Sequence, residues 1–202
     1  MDIPALLEEL QTIARNGLTY AQNVYDRERY ERLLELSCRQ YADLLDAPSA
    51  EVKARLSREL GHITPKLGSD AAIFNDAGEV LLMERVDGRG WCMPCGWVEP
   101  NERPVDAAVR ETREETGFEV VERQLVGVFS RPADPDSGLH SMSAVVHLCE
   151  VVGGELTLSH EGLDLRYWNI DQVPKWLGGA EKRARAAHAM WLSGGTVPSV
   201  SE

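Results

Sequence analysis

The first 60 residues place their apolar side chains with the period of an α-helix. One stripe comprises Leu6, Leu7, Leu10 and Ile13. A second comprises Tyr30, Leu33, Leu34, Ser37, Tyr41 and Leu44. Because spacings of three and four residues fall on one face of a helix, each stripe predicts an amphipathic helix. A third helix is predicted over residues 49–60, ended by Gly61, and residues 16–25 are predicted to be an aromatic loop between the first two.

Near residues 61–68 the helical pattern stops and strand patterns begin. Two strands on either side of the turn sequence Asn75-Asp76-Ala77-Gly78 predict a hairpin. Further strands are predicted over residues 120–129, 142–152 and 166–168, and a closing helix is predicted over residues 179–191. This order of elements predicts an α/β fold, in which an α/β/α sandwich with a mixed sheet follows a small all-helical domain.

The change of pattern also predicts where the domains begin and end. We expect a helical N-terminal domain in residues 1–62, an α/β domain in residues 63–192 and a flexible tail in residues 193–202. The start of the chain does not have the pattern of a signal peptide, and its apolar runs are too short to span a bilayer. A cytoplasmic location is therefore expected.

Composition narrows the classes of partner. The 202 residues carry a formal net charge of −12, which excludes a broad basic surface for nucleic acid or for an anionic membrane. Nucleic acid is therefore not expected as a partner, and a bound phosphate has to be met by metal or by a few arginines. Four cysteines in a chain of this length indicate reduced thiols and not a disulfide framework.

The most informative chemistry lies on a helix predicted between Pro104 and Gly117. Pro104 suits a first helical position and Gly117 suits the stop. Within this helix Glu111, Glu114 and Glu115 have spacings that put their carboxylates on one face. A charge run usually forms a solvated face, but mutually repelling carboxylates also attract a hard divalent cation. Mg²⁺ fits best, with Mn²⁺ as a substitute.

Residues 96–118 read GWVEPNERPVDAAVRETREETGF and resemble the box of the Nudix hydrolase family. In that pattern a glycine, five residues, a glutamate and seven residues precede R-E-U-x-E-E-x-G-U, where U is apolar. The residues in register are Gly96, Glu102, Arg110, Glu111, Glu114, Glu115, Gly117 and Phe118. Thr112 and Cys95 depart from it, since an aliphatic residue and often a glycine stand there in the family.

The resemblance implies the Nudix sandwich and metal-assisted hydrolysis of a diphosphate. It implies that Glu114 and Glu115 are the principal metal ligands, that Glu111 is a further ligand or the base, and that the Gly96 carbonyl is a backbone ligand. Arg110 is expected to hold a carboxylate in place through two hydrogen bonds. Glu161 is expected to be a further metal ligand or the general base, although an exposed loop carboxylate would look the same.

The N-terminal segment resembles the helical extension of a Nudix subgroup that acts on ADP-ribose or CDP-choline. This resemblance implies a nucleoside diphosphate derivative as substrate, a nucleoside monophosphate and a phosphorylated second moiety as products, and a homodimer. Asp70 stands where that subgroup often has arginine. Candidate substrate-binding residues are Tyr20, Arg131, His140 and Asp164, of which His140 is also typical of a structural histidine.

Two other functions fit parts of the sequence. A Nudix-like ligand sensor would keep the fold without turnover, although its carboxylates would then be free to change. A thiol oxidoreductase is indicated by Trp91-Cys92-Met93-Pro94-Cys95. That chemistry needs a helix that begins at the first cysteine, whereas Gly96, Trp97 and Pro100 predict extended chain and loop here. Oxidation could nevertheless form a disulfide between Cys92 and Cys95.

Overall fold

The computed structural model of the chain describes residues 3–58, 64–133 and 140–202. It divides into two compact units, one made of Met1–Lys66 with Arg131–Met142 and the other of Leu67–Ser130 with Ser143–Glu202. The boundary lies four residues beyond the predicted one. A segment of the predicted α/β domain, Arg131–Met142, is also assigned to the helical unit. The sequence carries no signal for that assignment, because it depends on packing between distant parts of the chain.

Three helices form the first unit: α1 (Ile3–Tyr20), α2 (Val24–Leu45) and α3 (Ser49–Leu56). The predicted aromatic loop is wrong over residues 16–20 and 24–25, because α1 continues through residue 20 and α2 begins at Val24. Gly17, within α1, permits α2 to pack closely against it, since a Cβ there would lie 2.4 Å from the ring of Tyr30 on α2. Helix α2 begins after Asn23, whose side chain accepts a hydrogen bond from the Asp26 N–H. Residues 59–60 of the predicted third helix lie outside the described residues.

The helical core differs from the first predicted stripe. Leu7 is buried, but Leu6 and Ile13 are exposed, because α1 turns a different face to α2. The second stripe is confirmed at its centre, where Leu34 and Tyr41 are buried. The core of this unit contains Leu7, Ala14, Leu34, Cys38, Tyr41, Ala42, Val52 and Leu56.

The second unit contains two sheets and two helices. The strands are β1 (Lys66–Ile73), β2 (Val80–Arg85), β3 (Trp91–Cys92), β4 (Cys95–Trp97), β5 (Phe118–Arg131), β6 (Met142–Gly154), β7 (Gly162–Trp168) and β8 (Val200–Ser201). Their order is β4-β1-β6-β5-β8 in one sheet and β3-β2-β7 in the other. The first sheet is mixed, since β1 pairs antiparallel with β4 and β5 pairs parallel with β8.

Helices α4 (Pro104–Thr116) and α5 (Ala180–Leu192) pack on different cores of this unit. Ala108 of α4 joins a core with Ile73 and Leu81, whereas Ala184 of α5 joins one with Val80. Because Val80 and Leu81 are consecutive residues of one strand, the two helices cover opposite faces. The predicted α/β/α sandwich after a helical N-terminal domain is confirmed.

The predicted hairpin exists only at its turn. Phe74 and Val80 form an isolated antiparallel bridge, but β1 and β2 then enter different sheets. The turn is as predicted, because the Asn75 side chain accepts hydrogen bonds from the Ala77 and Glu79 N–H groups. Alternation within each strand predicts two half-buried strands, but it does not reveal whether neighbouring strands pair.

The C-terminal residues include a short strand, and the flexibility of residues 193–202 stays a prediction. Strand β8 pairs with β5, where Gly127 lies opposite Val200. Gly127 has no side chain at a point where a Cβ would lie 2.3 Å from the Val200 carbonyl oxygen. The Ser199 hydroxyl also donates to the Leu125 carbonyl. Two strand residues after a turn are too short a signal for a sequence pattern. Within the described ranges no helix is long and apolar enough to cross a membrane.

Candidate active site

Helix α4 has the ends that its sequence predicts. Pro104 occupies the first turn, and Gly117 ends the helix with φ 73° while its N–H donates to the Arg113 carbonyl. A side chain at Gly117 would also collide with the Glu155 carbonyl oxygen, 2.5 Å from an added Cβ. Thr112 is fully buried, and its hydroxyl donates to the Ala108 carbonyl at 2.7 Å. The polar atom is therefore satisfied within the helix.

Gly96 meets the carboxylate of Glu111. Gly96 lies in β4, opposite Ser69 of β1, and a Cβ added to it would be 1.9 Å from the Glu111 Oε1 and 2.0 Å from its Cδ. No side chain fits in that space. The glycine and the glutamate, fifteen residues apart in the chain, therefore form a cradle of one backbone unit and one carboxylate.

Arg110 binds three carboxylates through its guanidinium. Its Nε and Nη2 donate to the two oxygens of Glu102 at 2.9 and 3.0 Å, a bidentate pair. Its Nη1 donates to Glu111 at 2.7 Å and to Glu114 at 3.2 Å, and its Nη2 also reaches the Trp97 carbonyl. The sequence predicts that Arg110 holds a carboxylate in place through two hydrogen bonds, and the carboxylate that it holds in this way is that of Glu102. Arg110 also neutralises the side of α4 that faces it.

Glu115 is the buried member of the acidic face. The residue is only 2% exposed, and its Oε2 accepts a hydrogen bond from the Cys95 N–H at 2.9 Å. Burial raises the pKa of Glu115 to about 8; the Cys95 N–H and Arg85 oppose the rise, while the charges of Glu111 and Glu161 add to it. A buried carboxyl of this kind gains most from a nearby cation.

The donor chemistry of the site fits a hard divalent cation. Its side chains are carboxylates, one of them is desolvated, and the backbone of Gly96 lies against the Glu111 carboxylate. Across residues 3–58, 64–133 and 140–202, however, no three His, Cys, Asp or Glu side chains are gathered as a ready metal-binding group. Arg110 holds Glu102, Glu111 and Glu114 instead. The ligand assignment to Gly96, Glu111, Glu114 and Glu115 therefore stays a prediction.

A family model described as the NUDIX domain matches residues 64–190 of this chain. That match spans more than half of the sequence. The chain belongs to the Nudix family. A second model, described as the UDP-X-like, N-terminal oligomerisation domain, matches residues 2–56. Nudix hydrolases use divalent metal ions, so the family and the donor chemistry agree.

Relatives and solved structures extend this similarity over most of the chain. The chain is 27% identical over 169 residues to the putative ADP-ribose pyrophosphatase YjhB of Bacillus subtilis, covering 83% of this chain and 80% of that protein. It is 32% identical over 124 residues to the ADP-ribose pyrophosphatase of Methanocaldococcus jannaschii, covering 60% and 72%. The predicted Nudix pyrophosphohydrolase class is thus confirmed.

A solved UDP-X diphosphatase has the same fold, with a TM-score of 0.58 and 24% identity over 97% of this chain and 95% of that one. At this identity the likeness concerns the fold alone. It includes the helical N-terminal unit as well as the Nudix unit, because almost the whole of both chains is covered.

Two further candidate residues, Glu161 and Asp164, have different surroundings. Glu161 is exposed, and its charge raises the pKa of Glu115. Asp164 lies opposite Glu84 in the β2–β7 pairing and accepts hydrogen bonds from Arg166, which lowers the pKa of Asp164. The Nudix site therefore has an electrostatic link to Glu161, whereas the charge of Asp164 is engaged by Arg166.

Tyr20, Arg131 and His140 belong to the helical unit. Tyr20 is the exposed last residue of α1. Arg131 donates to the Pro132 carbonyl at 3.1 Å. His140 adjoins residues 134–139, which lie outside the described residues. The structure does not bring these three together with the carboxylates of α4 inside one unit, and their substrate-binding roles stay predictions.

The thiol oxidoreductase alternative lacks the geometry it needs. Cys92 lies at the end of β3 and Cys95 begins β4, so neither is at the start of a helix whose dipole lowers a thiol pKa. The contact with Cys92, together with burial, raises the pKa of Cys95 well above its usual value. The predicted extended chain at this motif is confirmed.

Sequence reasoning missed two basic residues near the site. Arg85, at the end of β2, opposes the raised pKa of Glu115. Arg183, on α5, is buried and donates from Nε to Asp70 at 2.6 Å. Asp70 lies opposite Cys95 in the β1–β4 pairing. The unusual acid at position 70 therefore has a buried arginine as its partner, a pairing across 113 residues that no local pattern reveals.

Proposed function

We propose that this chain is a Mg²⁺-dependent hydrolase of a nucleoside diphosphate joined to a second moiety, of the ADP-ribose or CDP-choline kind. The products are a nucleoside monophosphate and the phosphorylated second moiety. The observation that carries the proposal is the cradle in which the Glu111 carboxylate lies against Gly96. The named relatives support ADP-ribose as the first compound to test.

The residues of the Nudix box have separate tasks in this proposal. Gly96, Glu111, Glu114 and Glu115 bind the cation, and Arg110 holds the Glu111 and Glu114 carboxylates in position. When bound, Mg²⁺, or Mn²⁺ in its place, would neutralise the pyrophosphate and lower the pKa of the attacking water. Glu111 or Glu161 accepts the proton of that water. Tyr20, Arg131, His140 and Asp164 are the proposed substrate contacts.

The test is product-resolved hydrolysis of ADP-ribose, CDP-choline, NADH, dinucleoside polyphosphates and 5′-triphosphate RNA, with Mg²⁺, Mn²⁺ or EDTA. Release of a monophosphate that EDTA abolishes supports the proposal. Reaction in ¹⁸O-labelled water shows which phosphorus is attacked, because the label enters only one product. No turnover of any compound by folded, reduced protein would favour a ligand sensor.

A matched pair of variants ties that activity to the box. Glu114→Gln is isosteric and removes one proposed ligand, whose side chain is 59% exposed. Glu119→Gln, on the adjoining strand β5, is the control. The assignment is wrong if Glu114→Gln stays within about threefold of the parent, a barrier change of about 0.7 kcal/mol.

We further propose that the helical unit forms a homodimer. Helix α1 exposes Ile3, Leu6 and Ile13, and helix α2 exposes Leu36; large apolar side chains of this kind are typical of interfaces. The match of residues 2–56 to an oligomerisation domain supports the same proposal. Size-exclusion chromatography with light scattering tests it: a dimer is expected, and a monomer at micromolar concentration would contradict it. Cytoplasmic localisation stays a prediction of the sequence.

A further inference from the structure

Cys92 and Cys95 lie where the chain passes between the two sheets of the Nudix unit. Cys92 pairs with Met83 in the three-stranded sheet, and Cys95 pairs with Asp70 in the five-stranded sheet. Their sulfur atoms are 3.9 Å apart, and both are free thiols. A disulfide needs a separation of about 2.05 Å, so the two side chains are close enough to join after a small rearrangement.

Cys95 contacts the candidate active site through its backbone. The Cys95 N–H donates to Glu115 at 2.9 Å. The next residue is Gly96, whose lack of a side chain leaves room for the Glu111 carboxylate and for nothing larger. A displacement of Cys95 therefore changes the positions of two box carboxylates relative to β4.

The two residues between the cysteines are held in place. Met93 is fully buried, and the Pro94 carbonyl accepts a hydrogen bond from the Ala71 N–H at 2.9 Å. Cys92 is itself buried in its sheet. Because these groups resist movement, the rearrangement that closes a disulfide falls mainly on Cys95 and Gly96.

We propose that Cys92 and Cys95 are a modification site at which a low-molecular-weight disulfide forms an intramolecular disulfide that weakens metal binding and hydrolysis. This inference rests on the proposed hydrolase function. Cys95 is the less buried residue of the two, and its sulfur, after loss of its proton to solvent, attacks the small disulfide and releases one small thiol. The Cys92 sulfur then attacks the mixed disulfide and releases the second. Two protein thiols are oxidised, and one small disulfide is reduced to two thiols.

The other two cysteines are internal controls. Cys38 is buried in the helical core, and Cys149 is buried beside Val120 in the core under α4. Neither is the bonded partner of another thiol, and burial shields both from a small disulfide. Oxidation of the folded protein is therefore expected to reduce the number of titratable thiols from four to two and not further.

The experiment exposes the full-length, reduced chain to glutathione disulfide and then removes the reagent. Intact mass, thiols titrated after denaturation, Mn²⁺ binding by paramagnetic resonance and hydrolysis are measured on one sample. We expect a mass lower by two hydrogens with no glutathione adduct. Mn²⁺ affinity and turnover should each fall by about tenfold, an effect typical of disturbing groups that position metal ligands. Dithiothreitol should restore both.

Two variants make the result specific. Cys149→Ser should behave as the parent does, whereas Cys92→Ser should keep its basal turnover and never lose two hydrogens. A stable glutathione adduct on the parent, four remaining thiols, or a disulfide with unchanged Mn²⁺ affinity would each overturn the proposal. If the reduced protein hydrolyses nothing, the proposed function fails, and thiol count with Mn²⁺ affinity still decides the redox site.

Discussion

The carboxylates of the Nudix site divide into an outer region, bound by Arg110, and an inner region, the buried Glu115. The two regions differ in their electrostatics. On the outer side Arg110 binds Glu102, Glu111 and Glu114, so these acids already have a positive partner. On the inner side Glu115 is buried against the Cys95 N–H, and its pKa is raised to about 8. The guanidinium of Arg110 thus orients the outer carboxylates, whereas no cationic side chain in the described part of the chain is bonded to the buried Glu115, which would gain most from a bound cation.

Identical residue types in one motif therefore have separate functions. Removing the outer guanidinium releases carboxylates that water can solvate. Removing the inner carboxyl takes the one buried acid out of the proposed ligand set. Gly96 lies between the two regions, since its neighbour Cys95 donates to the inner acid and its own backbone lies against the Glu111 carboxylate. Substitutions at these positions should therefore have graded effects.

Gly96→Ala should have the largest effect. The new Cβ would overlap the Glu111 carboxylate at 1.9 Å, and Arg110 restrains that carboxylate from moving away. We expect turnover to fall by about 1,000-fold, or ~4 kcal/mol of barrier, with little change in thermal stability, because the displaced group is the end of a side chain. Gly153→Ala is the control, since its Cβ meets only the Glu119 side chain at 3.1 Å or more. Equal losses in the two variants would contradict the cradle.

Glu115→Gln should rank second. Glutamine keeps the shape and can still accept the Cys95 N–H hydrogen bond, but it brings no negative charge to the cation. We expect turnover to fall by about 100-fold, or ~2.7 kcal/mol of barrier. Mn²⁺ affinity measured by paramagnetic resonance should fall in parallel. A variant that binds Mn²⁺ as tightly as the parent would remove the inner acid from the ligand set.

Much of this arrangement follows from local sequence, and some of it does not. The ends of α4 follow from Pro104 and Gly117, and the shared face of the glutamates follows from helical spacing. The burial of Glu115 does not, since an exposed acid at Glu114 and a buried one at Glu115 look alike in sequence. It depends on which face of α4 packs on the sheets. That orientation is set by residues such as Ala108 and Ile73, from elements far apart in the chain.

The same distinction explains two of the differences between the predicted and the observed fold. The turn at Asn75 is encoded by its own side chain, and the sequence predicts its position. The separation of β1 and β2 into two sheets depends on their other partners, β4 and β7. The pairing of β8 with β5 likewise requires Gly127, far earlier in the chain, to leave room for Val200. Long-range pairing therefore limits what local patterns predict.

The buried carboxyl of Glu115 should also make the free energy of unfolding of the metal-free protein depend on pH. Because the folded pKa of Glu115 is about 8, above the ordinary glutamate value of 4.5, the unfolded chain releases the proton first as pH rises. Its contribution to stability is fully present below pH 4.5 and is lost as the pH rises through 8. We expect the free energy of unfolding in EDTA to fall by about 2 kcal/mol between about pH 5 and 7, below the full linkage value of ~1.36 kcal/mol per unit. Denaturant titrations of the parent and Glu115→Gln measure it. If the free energy of unfolding of the two proteins fell by the same amount over this pH range, the raised pKa of Glu115 would be contradicted.

Arg110→Lys tests the outer region with its charge preserved. Lysine lacks the planar fork, so the bidentate pair with Glu102 is lost while a positive charge remains near Glu111 and Glu114. We expect turnover to fall by about tenfold, or ~1.4 kcal/mol. Arg113→Lys, at an exposed position on the same helix, should change turnover little. If the two substitutions have equal effects, geometry at Arg110 is unimportant and charge alone positions the outer acids.

The smallest expected effect lies beyond α4, where the exposed Glu161 adds to the raised pKa of Glu115. Glu161→Gln removes that charge, and we expect turnover to fall by about threefold, or ~0.7 kcal/mol, if Glu161 acts only through the field. Asp164→Asn should have less effect on turnover at saturating substrate, because Arg166 engages its charge, whereas its proposed substrate contact would show in KM. Steady-state rates from about pH 6 to 9 separate the roles of Glu161. An unchanged profile shape with a small loss fits an electrostatic contribution. A loss above about 100-fold together with disappearance of the acidic limb would make Glu161 the general base and Glu111 a ligand.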